Sequence, residues 1–480
     1  MGKIEMTIDE TAEVENLQRL YKIQRQACRD DPYPGYEERV DNLNALKELI
    51  LNCKEDLVQA MSDDFGHRSR GDSVISDILI TIQGIDYCLK NLKDWMKPSK
   101  RHVELIYKPA DNYVMYQPVG VFGLLGCWNY PVAESFGHLA WVLAAGNRCI
   151  IKGSEFVPNT NRVSKDAVAE FFDEATLGFV EGEVQVAQAF TALKFDHILV
   201  TGSPNVGKLV MRAAAENLTP VTLELGGKSP LILDSEMDVP TAVSRFILGK
   251  TMNAGQTCVA PDYIFCPENK IDELCEEIQR RFSEMYPEFS ANEDWTSILD
   301  DRQYARIKGL RDDAVAKGAK ASPLAEIDEE TEKSQRKMPL TLITGMTEDM
   351  EIADEEIFGP LLPILPYTDI DDVIAYIQSK PRPLALYINS WNSAFQDHIL
   401  KRTHSGGVCI NEATFHVAQE DLPFGGSGNS GLGKTHGPEG FRNFSNQKAV
   451  FSKGKIDLSE VLFPPFGTKL QKLLGKMLIR

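Results

Sequence analysis

Apolar residues recur at helical spacing through Leu17, Leu20, Tyr21 and Ile23, and again through Leu43, Leu46, Leu49 and Ile50. That period predicts helix over most of residues 12–98, closed by Pro98. Residues 99–117 alternate instead, as in His102, Val103, Glu104, Leu105, Ile106 and Tyr107, which predicts exposed strands in a hairpin or arm. From Val119 the pattern changes again. Short continuous apolar runs predict buried strands at 119–126, 148–152, 195–201 and 221–224, with Val184–Ala187 as one more. Helices are predicted between them at about 132–144, 159–172 and 206–217. The second half continues in the same style. Its helices fall at 238–253, 270–285, 301–317 and 370–378, and its strands at 262–266, 340–343, 361–366 and 384–389. Residues 320–338 are polar and charged and read as a surface loop. Strands alternating with helices predict parallel sheets with helices on their faces. The chain reads as two α/β units in series, joined near Glu224, with ligands expected beyond the carboxyl ends of strands.

Length adds that 480 residues exceed one ordinary core, so two or three structural units are expected. The apolar and charged shares, 43% and 25%, are those of a globular chain. A net charge of −19 argues against DNA or RNA as a partner, yet leaves room for a local basic pocket for one nucleotide cofactor. Nine cysteines show no CxxC spacing, so no metal is expected. Their odd number and the chain's size suggest reduced thiols in a cytoplasmic compartment. The N-terminus from Met1 to Glu10 is acidic and lacks the apolar run of a secretory signal. No stretch reaches the roughly 18 apolar residues of a membrane span.

Two segments are built for chemistry. Glu224 opens Glu-Leu-Gly-Gly-Lys-Ser-Pro (224–230), and Cys258 lies in Asn-Ala-Gly-Gln-Thr-Cys-Val-Ala-Pro (253–261). A carboxylate that takes a proton from water and a thiol that attacks carbon are the two parts of a covalent acyl transfer. The bland readings are a capping glutamate and a buried cysteine; the small residues around both favour an open cavity. Asn129, in Cys-Trp-Asn-Tyr-Pro (127–131), stands at a strand end where its amide N–H could meet an oxyanion, or simply serve a turn. Lys152 and Glu155 follow a buried strand, where a ribose lies in dinucleotide folds. Gly202, Ser203 and Gly207 mark a strand-to-helix turn that suits a pyrophosphate or is an ordinary connection. Five glycines crowd 425–433, which requires either close backbone approach or a flexible loop.

Together these motifs resemble the aldehyde dehydrogenase superfamily. The resemblance runs from about residue 30 to 465 through Trp-Asn-Tyr-Pro (128–131), Lys-Gly-Ser-Glu (152–155), Gly-Ser-x-x-x-Gly (202–207), Glu-Leu-Gly-Gly-Lys-Ser-Pro (224–230), Gly-Gln-Thr-Cys (255–258), Glu-Ile-Phe-Gly-Pro (356–360) and Pro-Phe-Gly-Gly (423–426). Within it the class-three branch is nearest. Asp-Arg-Gln-Tyr-Ala-Arg (301–306), Arg-Pro-Leu-Ala-Leu-Tyr (382–387) and His-Val-Ala-Gln-Glu-Asp-Leu-Pro-Phe-Gly-Gly (416–426) look like the coniferyl aldehyde dehydrogenase group.

The resemblance implies an α/β fold with two Rossmann-like parallel-sheet domains and a small β oligomerisation arm. It puts an NAD(P)-binding domain at 1–98 and 118–224, a catalytic domain at 225–425, an arm at 99–117 and 440–452, and an amphipathic tail at 453–480. It implies oxidation of an aromatic or a medium- to long-chain aldehyde to its acid. Cys258 would be the nucleophile and Asn129 the oxyanion donor, with Glu224 activating the water that releases the acid. Glu356 would hold the nicotinamide ribose and Phe358 would flank the ring. Lys152 and Glu155 would meet the adenosine ribose, and Gly202, Ser203 and Gly207 the pyrophosphate. Glu155 favours NAD over NADP, with some NADP use, because a carboxylate repels a 2′-phosphate. Gly153 stands where the family usually has proline, which is expected to loosen the ribose site. Alternatives are a CoA-acylating dehydrogenase, disfavoured by Glu224, and a catalytically silent relative. A homodimer is expected.

At the C-terminus Leu470, Leu473, Leu474, Met477 and Leu478 share one helical face, with Lys469, Lys472, Lys476 and Arg480 mostly elsewhere. The expectation is a helix docked on its own subunit or a partner copy, with peripheral membrane contact as the other reading.

Overall fold

The computed structural model describes residues 9–457 and 459–479. Met1 to Ile8, where the leader reading falls, and Arg480 lie outside them. The N-terminal region is helical as its period dictates, through Glu10–Asp30, Tyr36–Phe65 and Ile80–Trp95. Between the last two, Val74–Leu79 widens into a π-helical turn, and Ala133–Gly137 forms another. The first helix is capped by the Asp9 carboxylate, which accepts from the N–H groups of Thr11 and Ala12.

Two large sheets organise the rest. The six-stranded sheet runs, in spatial order, Gly431–Leu432, Val221–Leu225, His197–Gly202, Val121–Leu125, Arg148–Lys152, Leu177–Val180. The seven-stranded sheet runs Lys320–Pro323, Thr341–Thr344, Leu361–Tyr367, Tyr263–Pro267, Pro230–Leu233, Ala385–Asn389, Gly407–Ile410. All neighbours are parallel except Gly431–Leu432 and Lys320–Pro323, each antiparallel at an edge. Strands such as Val121–Leu125, Arg148–Lys152 and Tyr263–Pro267 are buried throughout, because helices cover both faces. That is why they read as continuous apolar runs rather than alternation. A third sheet of Ser99–Arg101, Ala110–Pro118 and Ser445–Lys453 is antiparallel, with its central strand half-buried and its edge strands mostly exposed.

The structure corrects several local expectations. Val184–Ala192 is a helix, and the strand before it is Leu177–Val180. Val184 and Val186 mimic a strand, but Val186 and Phe190 are the buried pair, four residues apart on one helical face. Within 320–338 lie the edge strand Lys320–Pro323 and the helix Glu329–Gln335, polar because both sit at the surface. The Asp328 carboxylate caps that helix at the N–H of Thr331. The alternating run at 102–107 contains a 3₁₀ turn at Leu105–Tyr107 rather than strand. Residues 440–443 belong to the helix Gly437–Asn443, and strand begins at Ser445. Strands Pro230–Leu233 and Gly407–Ile410, too short for a periodic signal, complete the second sheet.

The tail helix Lys469–Leu478 carries a capping box at Thr468 and Gln471 but buries none of its residues. Leu470, Leu473 and Met477 stay exposed, so the expected docking on its own subunit is not seen. Among the described residues no helix is long and apolar enough to cross a membrane.

Candidate active site

The carboxyl ends of four parallel strands converge on one edge of the six-stranded sheet. Val121–Leu125 leads to Asn129, Arg148–Lys152 ends on Lys152, His197–Gly202 ends on Gly202, and Val221–Leu225 holds Glu224. Such an edge is where ligands of these sheets bind. From the other side comes the segment between the helix Val239–Thr251 and the strand Tyr263–Pro267, bearing Cys258.

That segment holds an unusual backbone. Asn253, Ala254 and Gly255 have φ of 50°, 52° and 76°, three successive left-handed residues. Each non-glycine residue held so costs of order 1–3 kcal/mol, tolerated where the surroundings overdetermine it. They do so here. Asn253 N donates to Asp72 Oδ2 at 2.5 Å, and Asn253 Nδ2 to the Asn129 carbonyl at 3.1 Å. Gln256, fully buried, donates to the carbonyls of Asn253 and Ser297 and accepts from Leu299 N. A side chain at Gly255 would reach within 2.5 Å of the Gly359 carbonyl, so the turn admits only glycine there. The Gly-Gln-Thr-Cys motif is thus mostly scaffold: its first two residues fix the loop that presents Cys258.

Cys258 and Asn129 are brought together. Asn129 Nδ2 lies 3.2 Å from the Gln256 carbonyl, and Tyr130 Oη shares a hydrogen with Thr257 Oγ1 at 2.6 Å. The Asn129 backbone is itself clamped. Arg68 Nη1 donates to its carbonyl at 2.9 Å, while Arg68 Nη2 pairs with Asp77 Oδ2 at 2.7 Å, both side chains wholly buried. Asp77 Oδ1 accepts from the N–H groups of Val132 and Ala133. Burial, opposed by Arg68, leaves the Asp77 carboxyl raised to about 6. Sequence reading missed this pair, because nothing near Arg68 or Asp77 marks them apart from ordinary helix charges.

Glu224 is buried, and neither carboxylate oxygen has a hydrogen-bond partner among the described residues. Burial pushes its carboxyl well above the usual range; Glu134 adds to the rise and Lys434 opposes it. The glycine density at 425–433 acquires its reason here. Gly431 pairs with Glu224 across the antiparallel edge, and a side chain at Gly425 would come 2.9 Å from Glu224 Oε1. The loop therefore packs backbone, not side chains, against Glu224. Glu134, on the second π-helical turn, accepts from His138 Nε2 at 2.9 Å and Thr201 Oγ1 at 3.1 Å. It was also missed, although a glutamate inside an otherwise apolar helical run was the available signal. Burial pushes the Cys258 thiol well above its ordinary value, with Glu134 and Glu356 adding to the rise.

Of the candidate cofactor residues, Lys152 and Gly202 lie at strand ends, and Glu356 is close enough to Cys258 to raise its thiol. Glu356 accepts from Gly227 N at 2.9 Å, and burial lifts its carboxyl to about 8. Gly226 leaves the space beside that carboxylate, since a side chain there would sit 2.1 Å from Glu356 Oε2. Phe358, with φ of 46°, turns its ring edge-on to Trp128 at 5.2 Å. Gly207 lets the helix Pro204–Ala215 lie against Leu225, 2.8 Å from where its side chain would be. These gaps, together with the exposed helix start after Gly202, fit a nicotinamide dinucleotide.

Ser203 Oγ accepts from Val206 N at 3.3 Å and so caps that helix, which leaves its O–H to donate elsewhere. One expectation changes. Gly153 does not loosen its site: Asn161 Oδ1 fills the space, 2.2 Å from where a side chain would begin. Lys152 and Glu155 pair with each other at 2.9 Å. The lysine is buried there and the glutamate faces outward.

A cavity opens from Cys258, walled by both π-helical turns through Ser76, Ala133 and Glu134, with Trp141, Thr414 and Phe424 beyond. π turns recur at functional sites because the widened turn re-aims side chains.

Comparison with known proteins agrees with this geometry. The family described as "Aldehyde dehydrogenase family" matches residues 11–450. A probable coniferyl aldehyde dehydrogenase of Pseudomonas aeruginosa is 46% identical over 98% of this chain and 97% of its own. The solved substrate-bound state of Staphylococcus aureus AldH superposes with a TM-score of 0.90 at 33% identity, covering 96% of this chain and 99% of that one. A Mycobacterium tuberculosis aldehyde dehydrogenase complexed with NAD+ gives 0.81 at 26% identity, covering 95% and 91%.

Proposed function

This chain belongs to the aldehyde dehydrogenase family, and from that premise we propose that Cys258, Asn129 and Glu224 oxidise an aromatic, cinnamyl-type aldehyde in an NAD-preferring reaction. Oxidation of an aldehyde to its acid with a nicotinamide cofactor is what the family membership carries. The substrate class rests on likeness to the coniferyl relative and on the aromatic cavity walls Tyr130, Trp141 and Phe424. The single observation that carries the mechanism is a buried Glu224 carboxylate, without a hydrogen-bond partner among the described residues, close enough to Cys258 to add to the rise of its thiol.

Cys258 Sγ, having lost its proton, bonds to the carbonyl carbon. The oxygen becomes an oxyanion that the Asn129 amide and the Cys258 backbone N–H receive. Loss of hydride from that carbon leaves a thioester on Cys258; the hydride acceptor would be supplied by a bound oxidised nicotinamide. Glu224 then takes a proton from water, the hydroxide attacks the thioester carbon, and the C–S bond breaks to give the acid. Glu356 and Phe358 would hold the nicotinamide half. Lys152, Glu155, Gly202, Ser203 and Gly207 would hold the adenosine and pyrophosphate half.

Glu155 faces outward at a strand end and would accept from a ribose 2′-hydroxyl. The expected result is a kcat/KM for NAD at least roughly tenfold above that for NADP, since a 2′-phosphate would meet that carboxylate. Comparable values would overturn the preference. The pH dependence has a fixed sign. Both Cys258 and Glu224 act only after losing a proton, and burial raises both. The active fraction therefore grows as pH rises, and kcat, which includes both acylation and thioester hydrolysis, should climb from about pH 6 to about pH 9. A profile falling over that range would contradict the assignment of nucleophile and base. The three-stranded arm, with Ser445–Lys453 as an exposed edge strand, supports a homodimer, which light scattering would test.

A further inference from the structure

The cavity in front of Cys258 has a direction. Ser76, Ile80 and Gly84 line it from one helical stripe, four residues apart each time. Eight residues of helix advance about 12 Å. The Ser76 end is tied to the nucleophile: Ser76 Oγ donates to the Asp72 carbonyl at 2.7 Å, and Asp72 Oδ2 receives Asn253 N at 2.5 Å in the loop of Cys258. The Gly84 end lies against Glu420. A side chain at Gly84 would begin 3.0 Å from the Trp141 ring and 3.5 Å from Glu420 Oε2, so the glycine keeps the far end open between them.

Glu420 has no structural employment there. Both carboxylate oxygens are shielded from solvent, and neither has a hydrogen-bond partner among the described residues. The neighbouring carboxylate is accounted for, because the Tyr87 hydroxyl donates to Asp421. Burial alone lifts the Glu420 carboxyl to about 7. A buried acceptor stripped of water is destabilising unless a donor arrives. Part of the wall beside it is flat and aromatic: Trp141 lies 4.8 Å from His436, which stacks on Phe424 at 5.7 Å. They suit a planar ring.

Resting on the proposed cinnamyl-type reading, we infer that Glu420 is a specificity-determining residue that accepts a hydrogen bond from a ring hydroxyl at the end of the substrate remote from its aldehyde. The carbonyl end lies at Cys258, a propenal arm and one ring occupy the stripe from Ser76 to Gly84, and the hydroxyl meets the carboxylate. A site built to receive a hydroxyl discriminates strongly against the analogue that lacks it, since its own polar group is then left unpaired.

The test is a matched pair, 4-hydroxycinnamaldehyde and cinnamaldehyde, assayed at steady state with the parent enzyme, Glu420→Leu and Glu420→Gln. The parent should favour the hydroxylated compound by at least about tenfold in kcat/KM. In Glu420→Leu that ratio should fall to near one. Glu420→Gln keeps an acceptor of the same shape and should restore part of the ratio, which a merely structural role would not do. A parent ratio near one, or a ratio unchanged in Glu420→Leu, overturns the inference while leaving cinnamyl oxidation standing. No turnover of either compound, with hexanal still oxidised, overturns the cinnamyl reading itself and this inference with it.

Discussion

Glu224→Gln should form its acyl-enzyme at close to the parent rate and then stall. Rapid mixing should show a burst of about one reduced nicotinamide per subunit, followed by a steady state slower by about 10²–10⁴-fold. Cys258→Ala should show neither burst nor turnover. The asymmetry follows from where the two groups act. Cys258 makes the bond to carbon, and without it no later step exists. Neither Glu224 oxygen has a protein partner among the described residues, and in the proposed reaction it is needed only when water attacks. The amide of the variant fills the same space beside Gly425 but takes no proton from water. If Glu224→Gln instead lost the burst, the carboxylate would be serving the thiol, and its assignment as the deacylation base would fail.

Arg68→Met should give the largest loss of stability of any single change near the site, about 3–5 kcal/mol by denaturant midpoint, because it strands the buried Asp77 carboxylate. It should also lower kcat, since Arg68 Nη1 holds the Asn129 carbonyl that aims the oxyanion donor. The stability loss carries a pH signature. Asp77 is raised in the folded chain to about 6 even with Arg68 beside it, and Arg68 is what opposes the rise. A carboxyl raised on folding favours the protonated folded state, so its contribution is present at low pH and is lost as pH rises through the folded value. Removing Arg68 moves that value higher. The gap between variant and parent should therefore be wide at about pH 8 and narrow below about pH 6. The double variant Arg68→Met/Asp77→Leu should recover much of the loss, because an apolar pair of similar volume leaves no charge unpaired. A single variant as stable as the parent would show that the pair does not carry the clamp.

Much of this was legible in order along the chain. The parallel strands declared themselves because helices bury both their faces, leaving continuous apolar runs such as Val121–Leu125 and Arg148–Lys152. The elements that misread were short or at edges. Val184–Ala192 alternates at its start, and Lys320–Pro323 is polar because it is an edge strand. Neither carries a pattern that distinguishes it locally. Cys258, Glu224 and Asn129 stood out through the small and turn-forming residues around them.

Sequence alone thus determined the types of the long and buried elements, the family resemblance and the candidate reacting side chains, because these are properties of local spacing and residue chemistry. Tertiary structure decided their electrical and geometric state. Only folding brings Glu134 near Glu224, sets Arg68 under Asn129 and leaves Glu420 beside Gly84. These partners lie up to hundreds of residues apart. Burial and Coulomb interaction depend on distance in space, and no spacing along the chain records it.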